Sequence, residues 1–189
     1  MSAPRPGFIH PSAVIGEPPE WRDWTELTTI FAPDIASTAQ VNAFVTIDAG
    51  IRNPTRIGEG TFLMAHVHIG HDCVLGADCE LAAGVVLAGM VTVGDRVHLG
   101  VGACVRPEIT IGHDVRIGAG AVVVADVPAG ETWAGNPAKP LKSPWPGEGE
   151  IDKVHMAYER SLLLPEGQSE LEQRQRAARR GWMGDLSHP

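Results

Sequence analysis

The chain has 189 residues, 43% apolar but only 5% aromatic, with 22 glycines and 15 prolines. That length suits one ordinary domain with an appendage, and so much apolar content argues against wholesale disorder. With 15 basic against 23 acidic residues the net charge is −8, which excludes a bare electrostatic nucleic-acid footprint. No apolar run reaches the roughly 18 residues that would insert into a membrane. The opening stretch MSAPRPGFIHPSA has no apolar signal core, and three cysteines (Cys73, Cys79, Cys104) cannot all pair within one chain. Reduced thiols and a cytoplasmic location are therefore expected.

Along the chain, Ile9 and Ile15 stand six apart. A break near residues 16–30, GEPPEWRDWTELTT, follows and holds Trp21 and Trp24. Ile35, Val41 and Ile47 resume the spacing, and a second break at 49–54, AGIRNP, inserts four residues before Ile57. From Ile57 every sixth residue is aliphatic, through Leu63, Ile69, Leu75, Leu81, Leu87, Val93, Leu99, Val105, Ile111 and Ile117 to Val123. Four residues after each comes a small or β-branched residue, from Thr61 to Val127. A period of six puts helical residues about 120° out of line, so no helix could gather them on one face. Short strands joined by turns can, and three hexads close a triangular coil of 18 residues. Successive coils then stack by parallel pairing at about 4.8 Å. This is the signature of an all-β, hexapeptide parallel β-helix, predicted for 1–140 with loop insertions at the two breaks.

After Val127 the repeat fades into PAGETWAGNPAKPLKSPWPGEGE, where Pro and Gly stop any helix. Residues 141–189 read as a Pro/Gly-rich linker and a helical tail, with Ile151, Val154, Tyr158 and Leu162 on one stripe. None of the five tryptophans falls within the regular hexads.

Residues 18 apart sit above one another. The columns Ala65, Ala83, Val101, Ala119 and Val86, Cys104, Val122 make a smooth apolar wall, with His66, Gly84, Gly102 and Gly120 between them. Such a wall is a liability in a monomer, and it suggests a homotrimer. The column Phe62, Glu80, His98, Arg116 is mostly charged and is expected to face solvent.

The segment HVHIGHD places His66, His68, His71 and Asp72 within seven residues of an otherwise chemically plain repeat, and the three imidazoles are expected to crowd one corner of one coil. Acyl transfer from a thioester needs a group that takes the acceptor's proton and donors for the developing oxyanion. His71 suits the first role, because imidazole titrates near neutrality. Asp72 would hold its ring, and Gly89, one coil on, offers a backbone N–H that no side chain blocks.

The stretch FVTIDAGIRNPTRIGEGTFLMAHVHIGHDCVLG, with the Pro-Pro-containing break before it and the LAG of Leu87 to Gly89 after it, resembles bacterial UDP-N-acetylglucosamine acyltransferases. The AGNPAK segment, Ala134 to Lys139, resembles the coil end of nucleotide-sugar N-acetyltransferases. The resemblance implies a left-handed β-helix, a trimer with active sites between subunits, His71 as general base, Asp72 as its partner and the Gly89 N–H as oxyanion donor. Against the family pattern, Asp48 stands where a His is usual, Met90 replaces the His after LAG, and Arg106 replaces the His of a later VHQ. These departures point to a small acyl group, most simply acetyl from acetyl-CoA, delivered to an amine or hydroxyl of a sugar, most simply a nucleotide-linked amino sugar.

The sugar is expected near Asp48, Arg52, Asn53, His66, His68 and Met90. The CoA arm is expected along Gly84, Gly102 and Gly120, with Arg106, Arg116, Asn136 and Lys139 as further contacts. No metal is expected. Three rivals stay open: an acyl-carrier-protein-dependent enzyme with a longer chain, a carbonic-anhydrase-like metal enzyme built on His66 and His71, and a non-catalytic trimeric scaffold.

Overall fold

Nearly every hexad becomes a strand of two residues, one facing in and one facing out. The computed structural model describes residues 7–19 and 30–141, all within a unit spanning Met1–Lys142. The strands form three sheets of eight, six and five strands, parallel except for the closing pair. The 18-residue register appears directly in the pairing: Leu63 beside Leu81, Leu81 beside Leu99, Leu99 beside Ile117. On the six-stranded face Ile47 pairs with Ile69, Ile69 with Leu87 and Leu87 with Val105. Where the second insertion intervenes, the offset from Ile47 to Ile69 grows from 18 to 22.

All twelve aliphatics from Ile57 to Val123, and all twelve small residues four positions after them, are buried. The aliphatic fills the centre of a face and the small residue fills the corner, so each coil closes around a ring of side chains. Each fully buried Leu or Ile contributes about 1.5–3 kcal/mol relative to exposure. The corners turn through a left-handed residue: Phe44, His66, Gly84, Gly102 and Gly120 at the first, Asp72, Met90 and Glu108 at the second, Asp78, Arg96 and Asp114 at the third. Gly84, Gly102 and Gly120 avoid the conformational cost that the non-glycine residues at these turns carry.

The end of the solenoid departs from the hexad rule. Beyond Val127 the hexad spacing is lost but coil pairing goes on. Thr132–Ala134 adds another parallel strand beside Arg116–Ile117 and brings Trp133 over Ile117. Trp133 is buried and belongs to the core. With no further coil to supply an aliphatic layer, one large indole covers the end of the stack; its N–H donates to the Glu131 carboxylate at 2.6 Å. Lys139–Pro140 then pairs back antiparallel on this strand. The expected helical stripe from Ile151 to Leu162 lies outside the described residues.

The two insertions meet. Phe31 and Gly50 exchange both backbone hydrogen bonds, at 2.8 and 2.9 Å, and the Ala49 N–H donates to the Glu17 carbonyl at 2.9 Å. Their junction lies against the corner that carries His71 and Asp72.

Candidate active site

Asp72 organises this corner. Its left-handed backbone follows from its place as the second residue of the turn, and its side chain is only 5% exposed. One carboxylate oxygen accepts the Arg52 and Asn53 backbone N–H groups at 2.7 and 2.6 Å, and the other accepts the Ile51 N–H at 3.3 Å. The second oxygen also meets His71 Nδ1 at 2.8 Å. Burial pushes the Asp72 carboxyl up, but the hydrogen bonds from Asn53, His71, Arg52 and Ile51 outweigh it and hold it below the usual carboxylate range. An ionised carboxylate only accepts hydrogen bonds, so Nδ1 of His71 carries a proton and Nε2 is left as the basic nitrogen.

His71 Nε2 lies against Gly89. A Cβ at Gly89 would collide with the imidazole, with Nε2, Cε1 and Cδ2 as its nearest neighbours. Glycine is needed here because the ring occupies the space a side chain would take, a stricter reason than leaving the N–H unobstructed. Among the described residues the Gly89 N–H donates to no backbone acceptor, whereas its neighbours Ala88 and Met90 donate to Val105 and His71.

These groups open onto a cleft of about 460 Å³. Asp48, His68, Gly70, His71 and Gly89 line it from the coils, with Val14, Thr46 and Ile47 beneath and Glu17, Pro18 and Pro19 from the first insertion. His68 points outward from the strand His68–Ile69. Its Nδ1 lies 2.7 Å from Thr46 Oγ1 and its Nε2 lies 3.9 Å from the Asp48 carboxylate. Spacing brings Thr46 under His68, but nothing in the spacing marks Glu17, Pro18 or Pro19, which only the fold of the first insertion delivers.

The three imidazoles do not crowd one corner. The strand His68–Ile69 separates His66, in the turn before it, from His71, in the turn after it. His66 instead stacks on Phe44, with centroids 5.1 Å apart and planes 12° apart. A metal site built on His66 and His71 therefore lacks its first pair. Among the described residues no group of three or more His, Cys, Asp or Glu is placed to hold a metal ion.

Arg52 and Asn53 join the site through their backbones, and neither lines the cleft. Met90 is half-buried beside Gly89 and is not part of the lining either.

The residues expected to hold CoA divide between two places. Gly84, Gly102 and Gly120 stack at the first corner with φ of 71°, 67° and 64°, and a Cβ on any of them would meet nothing within 4 Å. The lane they form is open. Asn136 lies near its upper end, where Val122 donates to the Gly135 carbonyl and Ala138 donates to the Val122 carbonyl. Lys139 is exposed on the closing hairpin, and Arg116 faces out from the eight-stranded sheet beside His98 and Thr132. Arg106 is not with them: it stands at the second corner, beyond the strand Cys104–Val105.

Comparison with known proteins agrees with this architecture. Residues 54–89 match the model described as bacterial transferase hexapeptide (six repeats), and residues 90–125 match the hexapeptide repeat of succinyl-transferase. The chain is 39% identical over 142 residues to UDP-3-O-acylglucosamine N-acyltransferase of Caulobacter sp. (strain K31), a match covering 71% of this chain and 41% of that protein. Among solved structures, a mutant of perosamine N-acetyltransferase from Caulobacter crescentus in complex with CoA and GDP-perosamine superposes with a TM-score of 0.61. It is 36% identical over 73% of this chain and 57% of that one. UDP-N-acetylglucosamine O-acyltransferase from Moraxella catarrhalis RH4 superposes with a TM-score of 0.68 at 28% identity, covering 94% of this chain and 72% of that one. The chain thus spans less than half of the curated relative and a little over half of the perosamine enzyme. Its coils are hexapeptide-repeat coils similar to those of nucleotide-sugar acyltransferases.

Proposed function

We propose that this chain is an acyltransferase that moves a small acyl group, acetyl from acetyl-CoA, to an amino group of a nucleotide-linked sugar. The observation that carries the reading is the His71–Asp72 pair, 2.8 Å apart, set against Gly89 at the mouth of the cleft. His71 Nε2 takes a proton from the acceptor as it attacks the thioester carbonyl. The Gly89 N–H receives the oxyanion, and the imidazolium, steadied by ionised Asp72, returns the proton to the departing thiolate. The perosamine enzyme, with CoA and a nucleotide-linked amino sugar, supports the same pair of substrates here.

The CoA arm runs along the open lane of Gly84, Gly102 and Gly120, with Arg116, Asn136 and Lys139 around its upper end. The apolar six-stranded face, where Val86 is 37% exposed, packs in a homotrimer, which brings Arg106 of one subunit within reach of its neighbour's lane. A likeness over part of the chain to an acyl-[acyl-carrier-protein]–UDP-N-acetylglucosamine O-acyltransferase favours a second reading, in which the donor is a longer acyl chain on an acyl carrier protein.

A thiol-release assay with the purified chain separates the two. Release of CoA from acetyl-CoA on addition of nucleotide-linked amino sugars supports the first reading; turnover restricted to acyl-carrier donors supports the second. Full transfer activity in His71→Ala would overturn the mechanism under either donor.

A further inference from the structure

An acceptor amine at neutral pH enters as an ammonium and has two protons to lose, whereas a hydroxyl has one. The cleft holds two imidazoles on different supports. His71 is committed to Asp72 through Nδ1, while His68 is anchored to Thr46 and faces Asp48. Among the described residues, the ionisable groups of the lining are Glu17, Asp48, His68 and His71. From below, His68 meets Thr46 and Asp48; from the coil above, it meets the uncharged Val86. Among the described residues, Glu17 from the first insertion and His71 at the next corner are the other titratable groups lining the cleft beside it.

We infer that His68 and Asp48 form a second proton-accepting pair that receives the acceptor as an ammonium, which makes this cleft selective for nitrogen over oxygen. The inference rests on the acyl-transfer reading above and adds to it. Asp48 draws the R–NH3+ group in, and His68 takes its first proton and passes it to solvent. The neutral amine then attacks the thioester carbon, the C–N bond forms and the C–S bond breaks. His71 takes the second proton and delivers it to the thiolate. The products are an amide, a free thiol and one released proton, so atoms and charge balance. Asp48 beside the imidazolium offsets the charge His68 gains. A hydroxyl acceptor would use His71 alone and gain nothing from the acidic lining.

The test uses the full chain, acetyl-CoA, and nucleotide-linked amino sugars each paired with the hydroxyl sugar of the same skeleton. Transfer to the amine at least about a hundredfold faster than to its hydroxyl partner is expected. In His68→Gln and Asp48→Asn, kcat/KM for the amine should fall about ten- to a hundredfold near pH 6.5, a proton-transfer-sized loss. The deficit should shrink to about threefold or less as pH rises past the amine's own pKa, because the acceptor then arrives already neutral. The deficit of His71→Gln should not close. Thermal melts matching the wild type show that each variant is folded. Equal or faster transfer to the hydroxyl, or a His68 and Asp48 deficit that stays constant with pH, overturns the inference and leaves acyl transfer standing. No thiol release with any acceptor overturns both.

Discussion

Gly89 and His71 share one volume, so the smallest possible addition there has a large effect. Gly89→Ala puts a methyl group where the imidazole lies and should displace the ring. We expect transfer to fall by an amount comparable to loss of the base itself, roughly 10²–10⁴-fold. Thermal stability should change far less, which a melt beside the activity assay would reveal. Asp72 gives a pH prediction. Its carboxyl is held below its ordinary value, so the stability it confers is complete above the usual carboxylate range. That stability is lost as pH falls through the lowered folded value. Asp72→Asn turns one acceptor into a donor facing backbone N–H groups. Melts across about pH 3 to 7 should show a lower melting temperature for the variant near neutrality and a shallower acid limb than the wild type. The sequence marked His71 and Asp72 as adjacent polar residues on a plain repeat, and Gly89 because it stands 18 residues beyond His71. It misplaced His66 because proximity in sequence across a strand and a corner is not proximity in space. It missed Glu17 and the adjoining prolines because no period governs an insertion.

At the scale of the coil, the core residues are interchangeable in kind and differ only in layer. Leu99, fully buried between Leu81 and Ile117, should cost about 2–5 kcal/mol on truncation to Ala, read as a drop in the chemical-denaturation midpoint. The cysteines test the same packing by reactivity. Cys73 and Cys79 sit in the inner corners of the coil and are buried, whereas Cys104 faces outward. Burial pushes the Cys73 thiol up to about 12, and burial also raises that of Cys79. A thiol reagent at about pH 8 should therefore label at most one cysteine in the folded protein and three after unfolding. Strands, register and core were legible in the sequence because a period of six with an 18-residue repeat leaves each residue one place to go. The terminal layer was not, because Trp133 fills an aliphatic column with a residue the repeat never uses and reaches it after 16 residues rather than 18. The insertions were visible as breaks, but that they bind each other through Phe31 and Gly50 is a pairing between irregular segments with no pattern to announce it.

For the molecule as a whole, the apolar six-stranded face and the open glycine lane border the same corner. Light scattering of the full chain should give a mass about three times 20.1 kDa. A charged substitution on that face, Val122→Glu, should reduce the mass toward one chain and reduce transfer with it, because the lane would lose its opposite wall. The segment Gly50–Asn53 carries a different consequence. Asp72 grips it through three consecutive N–H groups, and a peptide N–H is common to every residue except proline. The shape of that rim is thus independent of the side chains written on it. Positions 51 to 53 can drift, or be randomised in a library, while the His71–Asp72 pair behind them stays where it is. Sequence change along that rim is thereby separated from the geometry of the His71–Asp72 pair.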